Sequence, residues 1–401
     1  MILSTLLMAL RELRRNKLRS LLTMLGIVIG VAAVIALVNI GEGATARVKA
    51  DIGKLGDNLL IVRPGAGRRG MGFTQAPPFT LADADAIGRE VSGVSDVAPT
   101  AGSQQLSVWG NENHQTSIMG ATNAYLDVRG YTLSGGRRFA PSEVSSGRAA
   151  CLLGSTVRHE LFGERDPLGE SVRVGKLSCL VIGTLASKGE SGIGQDQDDL
   201  ILMPLRAVQR RLLGNTDVST IFLSAKSDRS TQSVQAQTEA LLRQRRGLGE
   251  GRDSDFSVRD MQEVAETMSL ATGTLTALLG AIGAVSLLVG GIGIMNIMLV
   301  NVTERTREIG IRLAIGALAS DVLFQFLLEA VVLSALGGVV GIGFGLGLSW
   351  SVTRMLDVPF LVQPGVLALA FGFSALVGVV FGLLPARKAA RLNPIEALRH
   401  E

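Results

Sequence analysis

The sequence predicts a membrane α-helical fold, with four transmembrane helices and a large extracytoplasmic α+β domain inserted between the first and second spans. The chain has 401 residues, of which 47% are apolar and only 18% are charged, whereas soluble globular chains carry about 25% charged residues. The uncharged residues are concentrated in four long runs. The sequence between the first two runs has an ordinary soluble composition, which indicates an inserted domain.

Each apolar run is long enough to cross a bilayer as a helix, because about 20 residues span the hydrocarbon core. The first run has no charge from Leu21 to Ile40 and is too long for a signal peptide, so we interpret it as a retained anchor. The second exceeds the length that a bilayer requires, and we expect it to project beyond the membrane. The third contains Glu329, and the fourth stops at Pro385. The predicted spans are residues 21–40, 269–303, 321–353 and 366–384.

Basic residues near the ends of these runs predict the orientation, because cytoplasmic loops are enriched in Lys and Arg. The loop at residues 354–365 contains only Arg354. We therefore expect both termini in the cytoplasm, residues 41–268 outside it, and the chain in the inner membrane of a bacterium. Residues 1–20 are predicted to form an amphipathic helix on the lipid surface, and residues 385–401 a cytoplasmic tail. The basic clusters are Arg11, Arg14, Arg15, Lys17 and Arg19; Arg305, Arg307 and Arg312; and Arg387, Lys388, Arg391 and Arg399.

Glycines recur at four-residue spacing in the apolar runs, an arrangement that lets helix backbones approach closely in lipid. Two interpretations stay open: packing at a subunit interface, or packing within a single bundle. Glu329 is the one ionisable residue inside the runs, which argues against ion-coupled transport through the bundle. The glycines predicted to mediate helix packing are Gly26, Gly30, Gly337, Gly341 and Gly345.

The inserted domain alternates short β-rich segments with helical ones, as α+β domains do. Two Gly-rich stretches, residues 63–78 and 188–199, are predicted to be mobile loops. The predicted helices are 80–91 and 231–246. The predicted strands are 58–62, 150–153, 171–174, 177–182, 200–203 and 220–223.

Few residues of the inserted domain carry recognisable chemistry. Cys151 and Cys179 lie in predicted strands outside the cytoplasm, where they would form a disulfide if those strands are neighbours, or remain two buried thiols. Two cysteines alone do not make a zinc site, and we expect no metal and no catalytic residues.

Leu133–Gly136 and Gly175-Lys176 resemble fragments of nucleotide-binding motifs, but the second lacks the required spacing, and we treat both as chance. The net charge of +4 reflects the basic clusters at the membrane, so we expect lipid contact and no nucleic-acid binding.

The segment between the second and third runs, residues 304–320, is predicted to form a short charged helix. Glu308 and Arg312 are four residues apart, in the order that favours a helix-surface pair. Gly316 is suited to end this helix and Ser320 to begin the next, while Ile309, Leu313 and Ile315 would cover one side. The helix would be either an inert connector on the membrane or a docking element for a cytoplasmic partner. Composition alone favours the inert connector.

Four segments together resemble the permease part of the MacB/FtsX family of ABC transporters, over nearly the whole chain. Two of them, ERTREIGIRLAIG at 304–316 and PARKAARLNPIEALR at 385–399, each follow a predicted span and are the most specific. The segments are 9–30; the group 153–156, 161–163, 166–169 and 181–183; 304–316; and 385–399.

This resemblance implies a transporter subunit that is not itself an enzyme. Two permease chains, identical or paralogous, would dimerise and each would bind an ABC ATPase. ATP and Mg would bind to the ATPase, and this chain would bind no cofactor. Residues 304–320 would form a coupling helix that passes ATPase movement to long stalk helices, so that the extracytoplasmic domains do mechanical work. The residues expected to couple to the ATPase are Glu304, Arg305, Arg307, Glu308, Ile309 and Arg312.

The resemblance also leaves functional alternatives. MacB carries an N-terminal ATPase domain, whereas here the first span begins about twenty residues into the sequence, so we expect the ATPase on a separate polypeptide. The leading expectation is efflux of antibiotics, peptides or other amphiphiles, together with a periplasmic adaptor and an outer-membrane duct. The alternatives are a LolC/LolE-like lipoprotein-releasing permease and an FtsX-like regulator of cell-wall hydrolases. A membrane-anchored enzyme has no supporting constellation of residues.

Overall fold

A computed structural model describes residues 17–53, 58–65, 76–190, 196–227, 230–249, 251–356 and 358–399. The chain divides into two compact units, one formed by the segments up to Arg47 and from Ser269, and the other by Val48–Met268. Most of the predicted N-terminal amphipathic helix, residues 1–16, lies outside the described residues. So do the centres of the two predicted mobile loops, residues 66–75 and 191–195.

Long helices form the first unit and short ones the second. In chain order the helices are α1 Lys17–Gly53, α2 Leu81–Glu90, α3 Asn123–Val128, α4 Pro141–Ser146, α5 Ser155–Phe162, α6 Leu205–Ala207 with a following π-helical turn Val208–Leu213, α7 Thr231–Arg245, α8 Met261–Glu304, α9 Thr306–Ala314, α10 Ala319–Met355, α11 Pro364–Ala390 and α12 Pro394–Arg399.

Four of these helices, α1, α8, α10 and α11, are long and apolar enough to cross a membrane. Each is longer than its predicted span. The 44 residues of α8 correspond to about 66 Å of helix, roughly twice the hydrocarbon thickness. The fourth helix does not stop at Pro385, as we expected, but continues to Ala390. Pro385 and Ala386 are both buried in α11, so packing keeps the helix intact past a residue that normally breaks it.

Close contacts in the first unit show that α1 and α8 run antiparallel. Contacts at later positions along α1 are made with earlier positions on α8. At least one residue of each contact is glycine or threonine, and these small side chains let the two backbones lie close together. The contacts, in order along α1, are Gly26 with Gly290, Gly30 with Leu287, Val34 with Gly283, Gly41 with Thr276, and Thr45 with Thr272.

Contacts of the same kind show that α10 runs parallel to α1 and antiparallel to α11. The four long helices therefore alternate in direction, which is what four successive membrane spans require. The α1–α10 contacts are Ile27 with Gly337, Val31 with Gly341, and Ile35 with Gly345; the α10–α11 contacts are Gly338 with Ser374, Ser334 with Gly378, and Ala330 with Gly382.

Large apolar side chains on these helices are exposed on the outside of the bundle, where lipid would cover them. Leu270 is 72% exposed, Phe344 69% and Leu369 74%. A soluble surface does not carry apolar side chains at this density. The prediction of four membrane helices, with an α+β domain inserted between the first and the second, is confirmed.

The second unit is built on one mixed sheet. Its order is β10-β1-β9-β2-β3-β8-β5-β7-β4, and β6 pairs with both β2 and β7. The β3–β8 and β5–β7 pairs are parallel and the other pairs are antiparallel. The strands are β1 Leu59–Pro64, β2 Val94–Trp109, β3 Glu112–Ala121, β4 Leu133–Gly136, β5 Ala150–Leu153, β6 Ser171–Val174, β7 Leu177–Leu185, β8 Leu200–Pro204, β9 Thr220–Ala225 and β10 Phe256–Asp260.

The sequence did not predict the two longest strands, β2 and β3. Their segments are rich in Ser, Thr, Gln and Gly, and β2 contains Pro99, so neither resembles a buried strand. Backbone pairing explains them instead, since β2 pairs with β9 up to Thr100 and with β3 from Ala101 onward. The two nucleotide-motif fragments are ordinary structural elements: Leu133–Gly136 is β4, and Gly175-Lys176 forms the turn between β6 and β7.

Both described ends of the predicted mobile loop at 188–199 are held in place. The Asp198 carboxylate, 4% exposed, accepts hydrogen bonds from Ser187 Oγ at 2.5 Å, from Lys188 N at 2.8 Å and from Gly189 N at 3.0 Å. Tyr131 donates its hydroxyl to Gln197 O at 2.9 Å. The expectation of a wholly mobile loop is therefore wrong for residues 188–190 and 196–199, because one buried carboxylate satisfies three donors across the loop.

Cys151 on β5 and Cys179 on β7 form a disulfide, with Cα atoms 5.8 Å apart. Pairing of β5 with β7 makes the two strands neighbours. The bond closes a loop with a sequence separation of 28 residues, for which loss of chain entropy in the unfolded state corresponds to about 3–4 kcal/mol.

We therefore expect the Cys151→Ala/Cys179→Ala double variant to lower the free energy of unfolding of this domain by about 3 kcal/mol. Thermal unfolding of the full chain in detergent, with and without reductant, measures the difference. Reductant should destabilise the wild type but leave the double variant unchanged. An equal response of the two proteins would contradict the prediction.

A buried carboxylate near β4 makes the stability of this domain dependent on pH. Arg137 donates from Nη1 and Nη2 to the two oxygens of Glu143, at 2.8 Å and 2.9 Å, and Ala140 N donates to the same carboxylate at 2.8 Å. The Arg137 hydrogen bonds lower the pKa of Glu143 from 4.5 to about 2. The resulting stabilisation is fully present above pH 4.5 and is lost as the pH falls through about 2.

We expect Glu143→Gln to cost about 1–2 kcal/mol at pH 7, below the full linkage value because Arg137 is 53% exposed and solvent screens the pair. The difference in melting temperature between wild type and variant should shrink as the pH falls from 4.5 towards 2. A difference that stayed constant over this range would show that the carboxylate charge is not responsible.

Candidate coupling site between the second and third spans

The chain makes a sharp corner between α8 and the third span. A single residue, Arg305 (φ −103°, ψ 11°), separates α8 from α9. Thr306 caps the break by donating its hydroxyl to Val302 O at 3.0 Å and Thr303 O at 2.9 Å. After α9 the chain turns at Gly316, whose φ of +105° favours glycine. Ser320, which we expected to cap α10, lies inside its first turn, and Leu318 occupies the capping position.

One side of α9 is anchored in the core of the first unit. Ile309 is 2% exposed and belongs to the same apolar cluster as Met298, Val302 and Phe326. Gly310 packs against Ala397 of α12, where a Cβ at position 310 would collide with the Ala397 side chain. The C-terminal segment at 385–399, which carries the family signature, therefore packs against α9 through α12.

Polar contacts fix α9 to the third span at two points. Arg305 Nη1 lies 3.7 Å from Glu329 Oε2 on α10, and the two side chains are 16% and 8% exposed. Arg312 donates from Nη1 to Gln325 Oε1 at 2.9 Å and from Nη2 to Glu308 Oε1 at 2.5 Å. The predicted pairing of Glu308 with Arg312 is thus present in the structure.

The opposite side of this segment, which we call the outer face, is exposed and combines charged with apolar side chains. A helix whose anchor is already buried has no packing reason to expose large apolar residues, so this mixture is typical of a docking surface. The outer face consists of Glu304, Arg307 and Glu308, with Ile311 (42% exposed), Ile315 (82%), Leu318 (66%) and Ile395 of α12 (76%).

The six residues predicted to couple to an ATPase therefore divide into two groups. Glu304, Arg307 and Glu308 lie on the outer face. Arg305 and Ile309 point into the unit, and Arg312 is half-buried, so these three hold the segment in place. Sequence reasoning also missed two contributors, Glu329 and the apolar residues of the outer face. Ile315, which we expected to share one side of the helix with Ile309 and Leu313, is the most exposed of these apolar residues, because it follows the end of α9.

The five predicted packing glycines lie at contacts within this chain. Gly26 and Gly30 face α8, while Gly337, Gly341 and Gly345 face α1. A Cβ at Gly345 would lie 2.9 Å from Ala32 O, and one at Gly26 2.9 Å from Gly290 Cα. Neighbouring Gly343 and Gly347 of α10, by contrast, have no described heavy atom within 4 Å of a Cβ.

Two protein families match this chain. The MacB-like periplasmic core domain matches residues 20–241, which include most of α1 and most of the second unit. The FtsX-like permease C-terminal family matches residues 280–394, which include the second half of α8, the coupling segment and the last two spans. The match of two families in this order agrees with the division of the chain into a membrane unit and an inserted domain.

Curated relatives align with nearly all of this chain. Proteins named "Macrolide export ATP-binding/permease protein MacB" are 40% identical over 395 residues in Bdellovibrio bacteriovorus and 43% identical over 397 residues in Rhodospirillum rubrum. Each alignment covers 98% of this chain, but 61% and 60% of the respective relatives.

Among solved structures, the periplasmic region of MacB from Actinobacillus actinomycetemcomitans aligns with 54% of this chain and 95% of its own, at 21% identity and a TM-score of 0.46. From the family matches, the relatives and the four spans, the chain is a multi-pass inner-membrane protein that belongs to the MacB/FtsX family and carries a MacB-like periplasmic core domain.

Proposed function

We propose that this chain is the permease subunit of an ATP-driven ABC exporter that works by mechanotransmission. The observation that carries the proposal is the outer face. Exposed Ile315 lies with Glu304 and Arg307 on a segment whose other side is anchored in the core, and Ile395 is exposed on α12, which packs against α9. Such a surface fits a groove on a protein partner, with the apolar residues supplying affinity and the charges setting register. An inert connector would need no such anchor.

The partner for this surface is an ABC ATPase on the cytoplasmic side. The basic clusters beside α1, α9 and α11 support cytoplasmic termini, and the alternating directions of the four long helices agree with this, since the start of α1 and the end of α11 lie at the same end of the bundle. Both matching families are of the permease or periplasmic type, and we propose that a separate polypeptide carries the ATPase. ATP and Mg would bind there, and this chain would take part in no bond-making step.

Two copies of the permease, or one copy and a paralogue, would assemble with two ATPases. Closure of the ATPases would push on α9, and the antiparallel pair of α1 and α8 would carry the movement to the periplasmic domains. With a periplasmic adaptor and an outer-membrane duct, this movement would expel antibiotics, peptides or other amphiphiles from the periplasm. The MacB-like domain at residues 20–241 favours this function over lipoprotein release or hydrolase regulation.

The direct test is purification of the tagged chain from native membranes in mild detergent, followed by mass-spectrometric identification of its partners. Recovery of an ABC ATPase with a periplasmic adaptor supports the exporter. An ATPase recovered with a divergent permease or a cell-wall hydrolase would instead favour the alternative functions. Absence of any ATPase, under conditions in which a known transporter keeps its own, would refute the proposal.

Reversal of two charges on the outer face tests the docking register. We expect Glu304→Arg/Arg307→Glu to reduce ATPase recovery and permease-stimulated hydrolysis by about tenfold, because the paired charges would meet like charges on the partner. Membrane insertion and melting temperature should not change, since both positions are exposed. Asp321→Arg, which reverses an exposed charge that does not belong to the outer face, is the comparison variant. Unchanged hydrolysis in the first variant would identify the segment as an inert connector.

A further inference from the structure

A buried ion pair joins the corner of the coupling segment to the third span. Arg305 is the only residue between α8 and α9, and its guanidinium lies 3.7 Å from the carboxylate of Glu329. Both side chains are largely buried, and Glu329 lies in a membrane-spanning helix. Removing one partner from such a pair takes an opposite charge away from a largely buried group, which is unfavourable. The pair therefore resists separation of the corner from α10.

The one-residue break makes the corner a candidate hinge. Arg305 has a non-helical backbone conformation, so a push on α9 could rotate it about this residue and leave α8 behind. The ion pair prevents that rotation by fixing the hinge residue to α10, and the Arg312–Gln325 hydrogen bond holds the far end of α9 to the same helix. Further along, α10 packs tightly on α1 through Gly341 and Gly345.

We propose that Arg305 and Glu329 are positioning residues that make α8, α9 and α10 move as one body, so that ATPase movement enters the third span as well as the second. This inference rests on the proposed function, but its structural part is testable on the permease alone. The α1 helix, clamped between α8 and α10, would then receive the movement from both sides. Arg305 accordingly acts on the partner only through the position of α9.

The first experiment measures the distance between α8 and α10 in the full chain in lipid nanodiscs without nucleotide. Nitroxide labels at Val300→Cys and Phe324→Cys occupy exposed positions on the two helices. The native cysteines are bonded to each other and leave these labels as the reactive thiols. We expect a single narrow distance distribution that broadens in Glu329→Gln and in Arg305→Gln. Asp321→Asn, an exposed carboxylate on α10, is the control and should retain the wild-type width.

The second experiment repeats the measurement on the complex with the copurified ATPase, with and without ATP and vanadate. In the wild type the α8–α10 distance should not change with nucleotide, whereas in Glu329→Gln it should shift, because α8 is then left behind when α9 and α10 move. The swap Arg305→Glu/Glu329→Arg should restore the nucleotide-independent distance, which a merely destabilised helix would not do.

The outcomes separate the two ideas. If no ATPase copurifies, the proposed function fails, and broadening in the first experiment still decides whether the pair fixes the corner. If the ATPase is present but Glu329→Gln keeps a narrow, nucleotide-independent distance, the positioning role is overturned and the exporter stands. A wild-type distance that shifts with nucleotide as much as that of the variant would also overturn it.

Discussion

Replacement of Gly345 by leucine is expected to separate α1 from α10 and to destabilise the membrane unit by about 1–3 kcal/mol or more. A Cβ at this position would lie 2.9 Å from Ala32 O and 3.0 Å from Ala32 Cα. Both are backbone atoms of α1, so no rotamer change relieves the clash and the whole helix must move. For a unit of this size, we expect the melting temperature to fall by about 5 °C or more.

The same helix supplies a matched control. Gly343→Leu introduces the same side chain two residues away, where no described heavy atom lies within 4 Å of the new Cβ. Leucine favours a helix more than glycine does, by somewhat less than about 1 kcal/mol, so this variant should be at least as stable as the wild type. Thermal unfolding of both variants in the same detergent, monitored by size-exclusion chromatography, gives the comparison. Equal melting temperatures would mean that the α1–α10 contact does not require glycine.

Replacement of Ile315 by aspartate is expected to weaken ATPase binding by about tenfold or more, as the loss of an interface anchor does. Ile315 is 82% exposed and would be buried only on docking, so a charge there would have to be desolvated without a partner. The stability of the permease alone should not change, because an exposed substitution costs less than about 0.5 kcal/mol.

Binding of purified ATPase to permease in nanodiscs, measured over a concentration series, tests this prediction. Ile315→Leu keeps an apolar side chain of similar volume and should bind like the wild type. Wild-type affinity in Ile315→Asp would remove this residue from the docking surface, and equal loss in both variants would indicate a shape requirement instead of an apolar one. Ile395→Asp then tests whether α12 shares the surface.

The sequence predicted those features that depend on local composition, such as whether a segment lies in hydrocarbon or in water. Long uncharged runs predicted four spans because hydrocarbon excludes unpaired charge, and Gly-rich spacing predicted close helix contacts because only small side chains permit them. Neither feature depends on which helices meet. The sequence therefore identified Gly345 as a packing residue, although the structure was needed to show that it faces α1 of the same chain.

Features that depend on contacts between distant segments of the chain could not be predicted from local composition. β2 and β3 lack the apolar alternation of ordinary strands, and their register depends on partners distant in sequence. Pro385 predicts a helix end locally, yet buried packing carries α11 through it. The loop at 188–199 looked mobile by composition, but Asp198 anchors it by contacts on both of its described ends.

By itself the sequence determined the number of spans and the inserted domain, because both follow from local composition and spacing. The segment proposed for coupling was identified only by the family resemblance, since its composition alone favoured an inert connector. Tertiary structure alone decided which residues of that segment face outward. Arg305 and Arg307 are two positions apart in one charged run, but Arg305 turns inward to Glu329 and Arg307 remains on the surface. The direction of each side chain is set by the one-residue break between α8 and α9 and by the buried carboxylate of a different span, neither of which local composition encodes.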